Sequence, residues 1–194
     1  MVGPEKKSFR LHKSLLCHAS KYFDAALNGG FKEAEEEKIE MLGDCAEMFK
    51  HFQFWLYSNT INMSTNKRFD IEWKQLIDLF IFGEARGIPN LMNCAIDGLI
   101  DKQAYMFWTP LDQIPYIYDN TAPKSPLRQL LVDLVIRDSN FHDDSWFSEV
   151  TFQWTTKEFL SDLAVAQCEF RRGVRSVADD FKATRRDYHV LASD

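Results

Sequence analysis

Two stretches of this sequence alternate polar and apolar residues, and both are only four residues long. Ser8–Leu11 puts Phe9 and Leu11 on one face, and Lys38–Met41 puts Ile39 and Met41 on one face. A period of two predicts strands, but strands this short build only a small sheet. Apolar residues at helical spacing fill most of the remainder. The order is therefore not the βαβα alternation of a Rossmann or P-loop architecture.

The helical segments are legible from their ends. His12 to Ala19 reads as a first helix. Ser20 is a candidate N-cap for a second, Lys21 to Leu27, whose apolar face holds Tyr22, Phe23, Ala26 and Leu27. Asn28-Gly29-Gly30 stops it, because glycine enters left-handed backbone cheaply. Asp44 is placed to cap the next helix, with Glu47 three residues on as in a capping box. Met48, Phe49, Phe52, Trp55 and Leu56 recur along it at helical spacing. Asn59 to Phe69 is polar and loop-like. A long helix follows from about Ile71 to Arg86, closed by Gly87-Ile88-Pro89 in a Schellman-type stop. Another runs from Pro89 to Asp101.

Composition changes after that. Trp108 to Pro126 holds Pro110, Pro115, Pro123 and Pro126, with a short helix expected over Leu111 to Tyr118 and a boundary at Thr121 to Ser125. Ser125-Pro126 reads as an N-cap followed by proline at the first helical position, opening an amphipathic helix over Leu127 to Arg137. Thr155 to Glu158 forms a capping box for a last helix ending near Arg172, stopped by Gly173. The residues beyond are expected to fray. The division expected is 1–102, 103–173 and a frayed tail, 174–194. The fold class is α+β, mostly helical: a small sheet of short strands with a helical cluster, followed by a helical extension.

A chain of 194 residues buries roughly 70% of its unfolded surface, so it needs neither disulfides nor a metal to fold. Its 16 Phe and 5 Trp favour a packed interior over disorder. Cys17, Cys45, Cys94 and Cys168 show no C-x-x-C spacing, which fits reduced thiols and a cytoplasmic or nuclear protein. No secretory signal follows Met1, and no apolar stretch is long enough to span a membrane. With a net charge of -6 and a pI near 5.4, the chain repels nucleic acid unless a local patch overrides the total. Arg171, Arg172, Arg175, Lys182, Arg185 and Arg186 are such a cluster. Asp179, Asp180 and Asp187 interrupt it, and it reads as a solvated tail.

Several motifs appear in sequence order. Phe9-Arg10-Leu11-His12-Lys13-Ser14-Leu15-Leu16 precedes Ser20-Lys21-Tyr22-Phe23, then Gly30-Phe31-Lys32-Glu33, then Ile39-Glu40-Met41. Phe49 to Tyr57 ends in Trp55-Leu56-Tyr57, and Glu84-Ala85-Arg86-Gly87-Ile88-Pro89-Asn90-Leu91 follows. Together these resemble a BTB/POZ domain over residues 1–102. Residues 103–172 resemble in general character the helical extension of fungal BTB-only proteins. The resemblance implies a protein–protein interaction module with no catalysis and no cofactor. It aligns Phe31 and Glu33 with the hydrophobic-x-Glu element by which BTB adaptors bind a cullin scaffold. A Phe31 folded back on its own domain is the competing reading. Tyr57 and Asn59 would end a helix beside that face, and Lys13 would lie near the dimer groove. Met1-Val2-Gly3 look like the tail of the family's first strand, so a strand-swapped homodimer is expected to be weakened and a sheet edge exposed.

The alternative is a module that self-associates or scaffolds other proteins without a cullin. A remote third reading is an enzyme with a pocket in residues 103–172 built from Trp108, Tyr116, His142, Asp143 and Trp154. Chemistry-bearing clusters have ordinary explanations. His12 follows a strand and is expected to tie its ring nitrogens to backbone. Cys17 beside His18 falls on an apolar helix face, and His51 is expected to be exposed or at a packed edge. His142-Asp143-Asp144 reads as a helix start rather than a metal site. No phosphate loop, G-x-S-x-G or H-E-x-x-H is present.

Overall fold

The computed structural model of the protein describes residues 1–61, 71–106, 109–137, 153–174 and 184–191. The chain divides into two compact units, Met1–Ala95 with Leu191–Asp194, and Ile96–Val190. Helix α6, Pro89–Met106, runs across the division.

The first unit holds α1 (Lys13–Ala19), α2 (Lys21–Asn28), α3 (Lys32–Glu36), α4 (Ala46–Ser58) and α5 (Trp73–Ala85). Its core is aromatic. Phe52 lies against Phe82 with ring centroids 4.7 Å apart, Phe49 at 5.2 Å and Phe23 at 6.1 Å. These rings come from α2, α4 and α5, and all are essentially solvent-free. The helical spacing of Met48, Phe49, Phe52 and Trp55 produces this result: it places all of them on one buried stripe of α4. Leu56, read as part of the same face, is only half-buried.

The expected sheet is reduced, among the described residues, to isolated rungs. Val2 pairs antiparallel with Lys7 and parallel with Met41. Ser8–Leu11 and Lys38–Met41 keep the alternation of strands: Phe9, Leu11 and Ile39 are half-buried and Met41 buried, while Ser8, Arg10, Lys38 and Glu40 are exposed. They form no ladder with each other. Met1–Gly3 pairs instead with Lys7, just ahead of the first, and with Met41 at the end of the second.

Caps decide the helix ends, and some differ from the sequence reading. Ser20 caps α2 as expected, its Oγ accepting from the amides of Tyr22 (3.1 Å) and Phe23 (3.5 Å). The same hydroxyl donates to the Arg86 carbonyl at 2.6 Å, fastening the start of α2 to the end of α5. Ser20→Ala removes the cap and strands that carbonyl in a nearly buried site. The expected cost is about 1–2 kcal/mol. Urea denaturation of the variant checks this, and an unchanged midpoint would refute it.

Asp44 does not cap α4. Cys45 holds the N-cap position with no side-chain bond, and Asp44 pairs instead with Arg86. Gly29 ends α2 at a φ of -77°, so the stop needs no left-handed residue there. It needs the missing side chain: a Cβ on Gly29 would come within 2.3 Å of the Ala25 carbonyl and 2.9 Å of the Phe31 ring. Gly87 takes the left-handed conformation with φ of +60°. Ile88 N–H donates to the Gly83 carbonyl at 2.9 Å and Gly87 N–H to that of Glu84 at 3.4 Å, completing the Schellman stop.

The second unit comprises the C-terminal part of α6, a 3-10 turn (Leu111–Gln113), α7 (Ile114–Asn120), α8 (Pro126–Arg137), α9 (Lys157–Arg171) and a second 3-10 turn (Arg185–Tyr188). α8 starts at Pro126 as expected, but the Ser125 hydroxyl is buried and makes no cap. α9 is capped by Thr156, one residue later than Thr155, through a 3.1 Å bond to the Phe159 amide. Gly173 follows with φ of +67°.

A frayed end was expected beyond 173, but residues 184–190 pack. Tyr188 is buried and donates to Asp133 at 2.9 Å. Arg185, read as part of a solvated tail, pairs with Asp101 at 3.2 Å and Asp97 at 3.6 Å. His142, Asp143, Asp144, Trp108, Arg175, Lys182, Asp179 and Asp180 lie outside the described residues.

Candidate functional site

Phe31 opens α3 from its N-cap position and remains 60% exposed. Its ring rests over Gly29, where a side chain would collide with it, so the glycine sets the direction in which the aromatic leaves the surface. Glu33 follows within α3 and is half-buried. Lys32 and Glu36 pair across one turn at 3.3 Å. The helix ends at Glu37 in the left-handed conformation. The acidic run thus lies largely in a short helix, with Glu35, Glu36 and Glu37 exposed.

Tyr57 lies near the end of α4 and braces the start of α1. Its hydroxyl accepts from the His12 amide at 3.2 Å and lies 2.7 Å from His12 Nδ1, with the two rings edge to face. His12 was expected to tie its ring to backbone. It is exposed, and its ring partner is the phenol. Lys13 is the next residue and is also exposed. Asn59 caps the end of α4 in left-handed backbone, its amide donating to Trp55 at 2.7 Å.

The sequence-predicted residues do not converge on one pocket. Asn59 lines a groove of about 760 Å³ together with Leu15, Cys17, His18, Tyr22 and Trp55, while Lys13 lines a separate groove of about 510 Å³. Phe31 and Glu33 line neither. Tyr22 was read as core but is 47% exposed at the edge of the larger groove. Only Phe23 and Leu27 of its expected face are fully buried. The Arg86 guanidinium lies over the Phe82 ring at 4.0 Å and 5.9 Å from that of Tyr22. Nothing in the sequence pattern distinguishes Tyr22 from Phe23, since both fall on the same arc of α2.

Burial raises the Asp44 carboxyl above its ordinary value, and the attraction of Arg86 only partly offsets this. Burial lowers the His51 imidazole, with Glu47 working in the opposite direction. In the second unit, burial followed by the hydrogen bond to Asp162 pushes the Tyr118 phenol far above its usual range. Among the described residues no group of three or more His, Cys, Asp or Glu side chains could hold a metal, and no helix is long and apolar enough to cross a membrane. All the cysteines are free thiols.

Comparison with known proteins agrees with the motif order. Residues 1–82 match the family model of the BTB/POZ domain. Kelch-like protein 26 of Danio rerio is 34% identical over 63 residues, which are 32% of this chain and 10% of that protein. The match thus spans about a tenth of that relative's length. No solved structure matches the chain at a significant level. The aromatic core of α2, α4 and α5 and the Ser20 cap lie within the residues that match the BTB/POZ family model.

Proposed function

We propose that this chain is a protein–protein interaction module that docks a cullin ubiquitin-ligase scaffold through Phe31 and Glu33, leaving its second unit to engage a further protein. What carries the reading is the exposure of Phe31. A phenyl ring that is 60% open to water, held at a helix start by contact with Gly29, is available to a partner without any rearrangement. Burying the open part of such a ring stabilises a complex by about 1–2 kcal/mol, and aromatic anchors of this kind are frequent hot spots. A Kelch-like relative and the BTB/POZ match support an interaction role over a catalytic one.

Calorimetric titration with the N-terminal domain of a BTB-binding cullin tests the proposal. The expected result is micromolar or tighter binding that Phe31→Ala weakens at least tenfold while its urea midpoint stays unchanged, since the ring adds little to the chain's own core. No heat from well-folded protein removes the cullin reading and leaves a module that self-associates or scaffolds.

A further inference from the structure

Residues 185–189 sit on the second unit as a ligand sits on a receptor. The 3-10 turn Arg185–Tyr188 has about three residues per turn, so Arg185 and Tyr188 leave it on the same side. Both turn toward the protein: Tyr188 is buried and Arg185 half-buried, while Arg186 and Asp187 between them are exposed. The Tyr188 hydroxyl donates to Asp133 of α8 at 2.9 Å, a carboxylate that is only 5% exposed. Arg185 spreads its two terminal nitrogens over a pair of carboxylates one turn apart on α6. Its Nη2 lies 3.2 Å from Asp101 and its Nη1 3.6 Å from Asp97. His189 Nε2 lies 2.9 Å from the same Asp97.

The two partners in this contact are unequally anchored. Ile96, Leu99 and Ile100 are buried along α6, and Leu130, Leu131 and Leu134 along α8. The three carboxylates therefore stand on well-packed helices and keep their places when the segment leaves. The segment itself is lightly held. Within residues 184–190 only Tyr188 is buried. The ion-pairing side chains keep 22–34% of their surface open to water. Such pairs contribute little, and a stretch with so few buried contacts opens without unfolding the rest.

We propose that α6 and α8 form a docking site for a protein segment carrying Arg-x-x-Tyr-His in a 3-10 turn, that residues 185–189 fill it as an internal mimic, and that a partner presenting such a segment displaces them. Three fixed carboxylates call for a guanidinium and a hydroxyl donor, and the turn sets these three residues apart. The proposal rests on the reading that the second unit engages a further protein. It does not rest on the cullin contact, since Phe31 and Glu33 belong to the first unit.

The test is fluorescence anisotropy of a labelled peptide with the sequence of residues 184–190, titrated with the full chain. Binding to the unaltered chain is expected to be weak, because its own segment competes. Arg185→Ala combined with Tyr188→Ala empties the site, and the peptide is expected to bind that variant at least tenfold tighter. Should the double variant lose its helical circular dichroism, Arg185→Ala alone gives the same comparison. Replacing the peptide's tyrosine by phenylalanine is expected to weaken binding to the variant at least tenfold, since Asp133 then loses its donor. Amide hydrogen exchange in the unaltered chain is expected to be at least tenfold faster over 184–190 than along α8. Equal affinity for the two chains would overturn the proposal, as would absence of binding to the folded variant. So would exchange over 184–190 as slow as in α8, because the segment would then be part of the core. A dimer of the unaltered chain, seen by light scattering and lost with Tyr188→Ala, would overturn it too, since a second copy would then be the occupant. Cullin binding that persists beside a failed peptide titration separates the loss of this proposal from the loss of the cullin reading.

Discussion

Phe52→Ala is expected to lower the stability of the first unit by about 3–5 kcal/mol, the range for deleting a buried aromatic side chain from a packed core. The ring has no exposed surface and touches Phe23, Phe49, Trp55 and Phe82. Its neighbours come from three helices, so collapse into the cavity would have to move several elements at once, and most of the void will persist. Phe52→Leu retains most of the volume and should cost about 1–2 kcal/mol. Urea denaturation followed by near-ultraviolet circular dichroism measures both. A loss below about 1 kcal/mol for the alanine variant would mean that the aromatic cluster is loosely packed.

The second large effect belongs to the other unit. Arg128 on α8 is 92% buried, at 8% exposure, among the described residues. Its Nε donates to Thr121 Oγ1 at 2.9 Å, and its Nη2 donates to the carbonyls of Tyr118, at 2.7 Å, and Thr121. The guanidinium also lies over the Tyr118 ring at 4.3 Å. One side chain thus satisfies the carbonyls where α7 ends and holds the connection to α8. Arg128→Met keeps the length and removes every donor, so those acceptors lose their partner. The expected loss is about 2–4 kcal/mol. Arg128→Lys should recover less than half of it, because an ammonium cannot span acceptors set for a planar fork. Thermal unfolding of the two variants decides the matter. Full recovery by lysine would show that charge, not geometry, holds this joint.

Much of the fold was legible because it is written locally. Ser20 caps α2, Gly87 closes α5 and Pro126 opens α8, since a cap depends on residues within one turn of it. Asp44 shows where such reading fails. Its side chain sits one residue ahead of the real cap, and Arg86, 42 positions away, takes it instead. Thr156 displaced Thr155 for a smaller reason, one residue of register at a helix start. Phe31 and Glu33 became candidates only through the resemblance to BTB adaptors, and nothing in the string shows that the ring is exposed. The role of Gly29 was not legible: it depends on where the Phe31 ring lies, which is a contact rather than a pattern.

The sequence specifies most of the helices, their order and the aromatic stripe that makes the first core, because periodicity and caps act over three or four residues; α3 is a helix it does not announce. It determined too that Ser8–Leu11 and Lys38–Met41 turn alternate side chains inward. What lies between them depends on long-range packing. The contact of Met1 with Ile39 joins residues 38 positions apart, and no local preference specifies whether such backbone groups find a partner. The packing of Tyr188 onto Asp133 and the burial of Arg128 are decided in the same way: a polar side chain is held inside only when distant groups supply its hydrogen bonds.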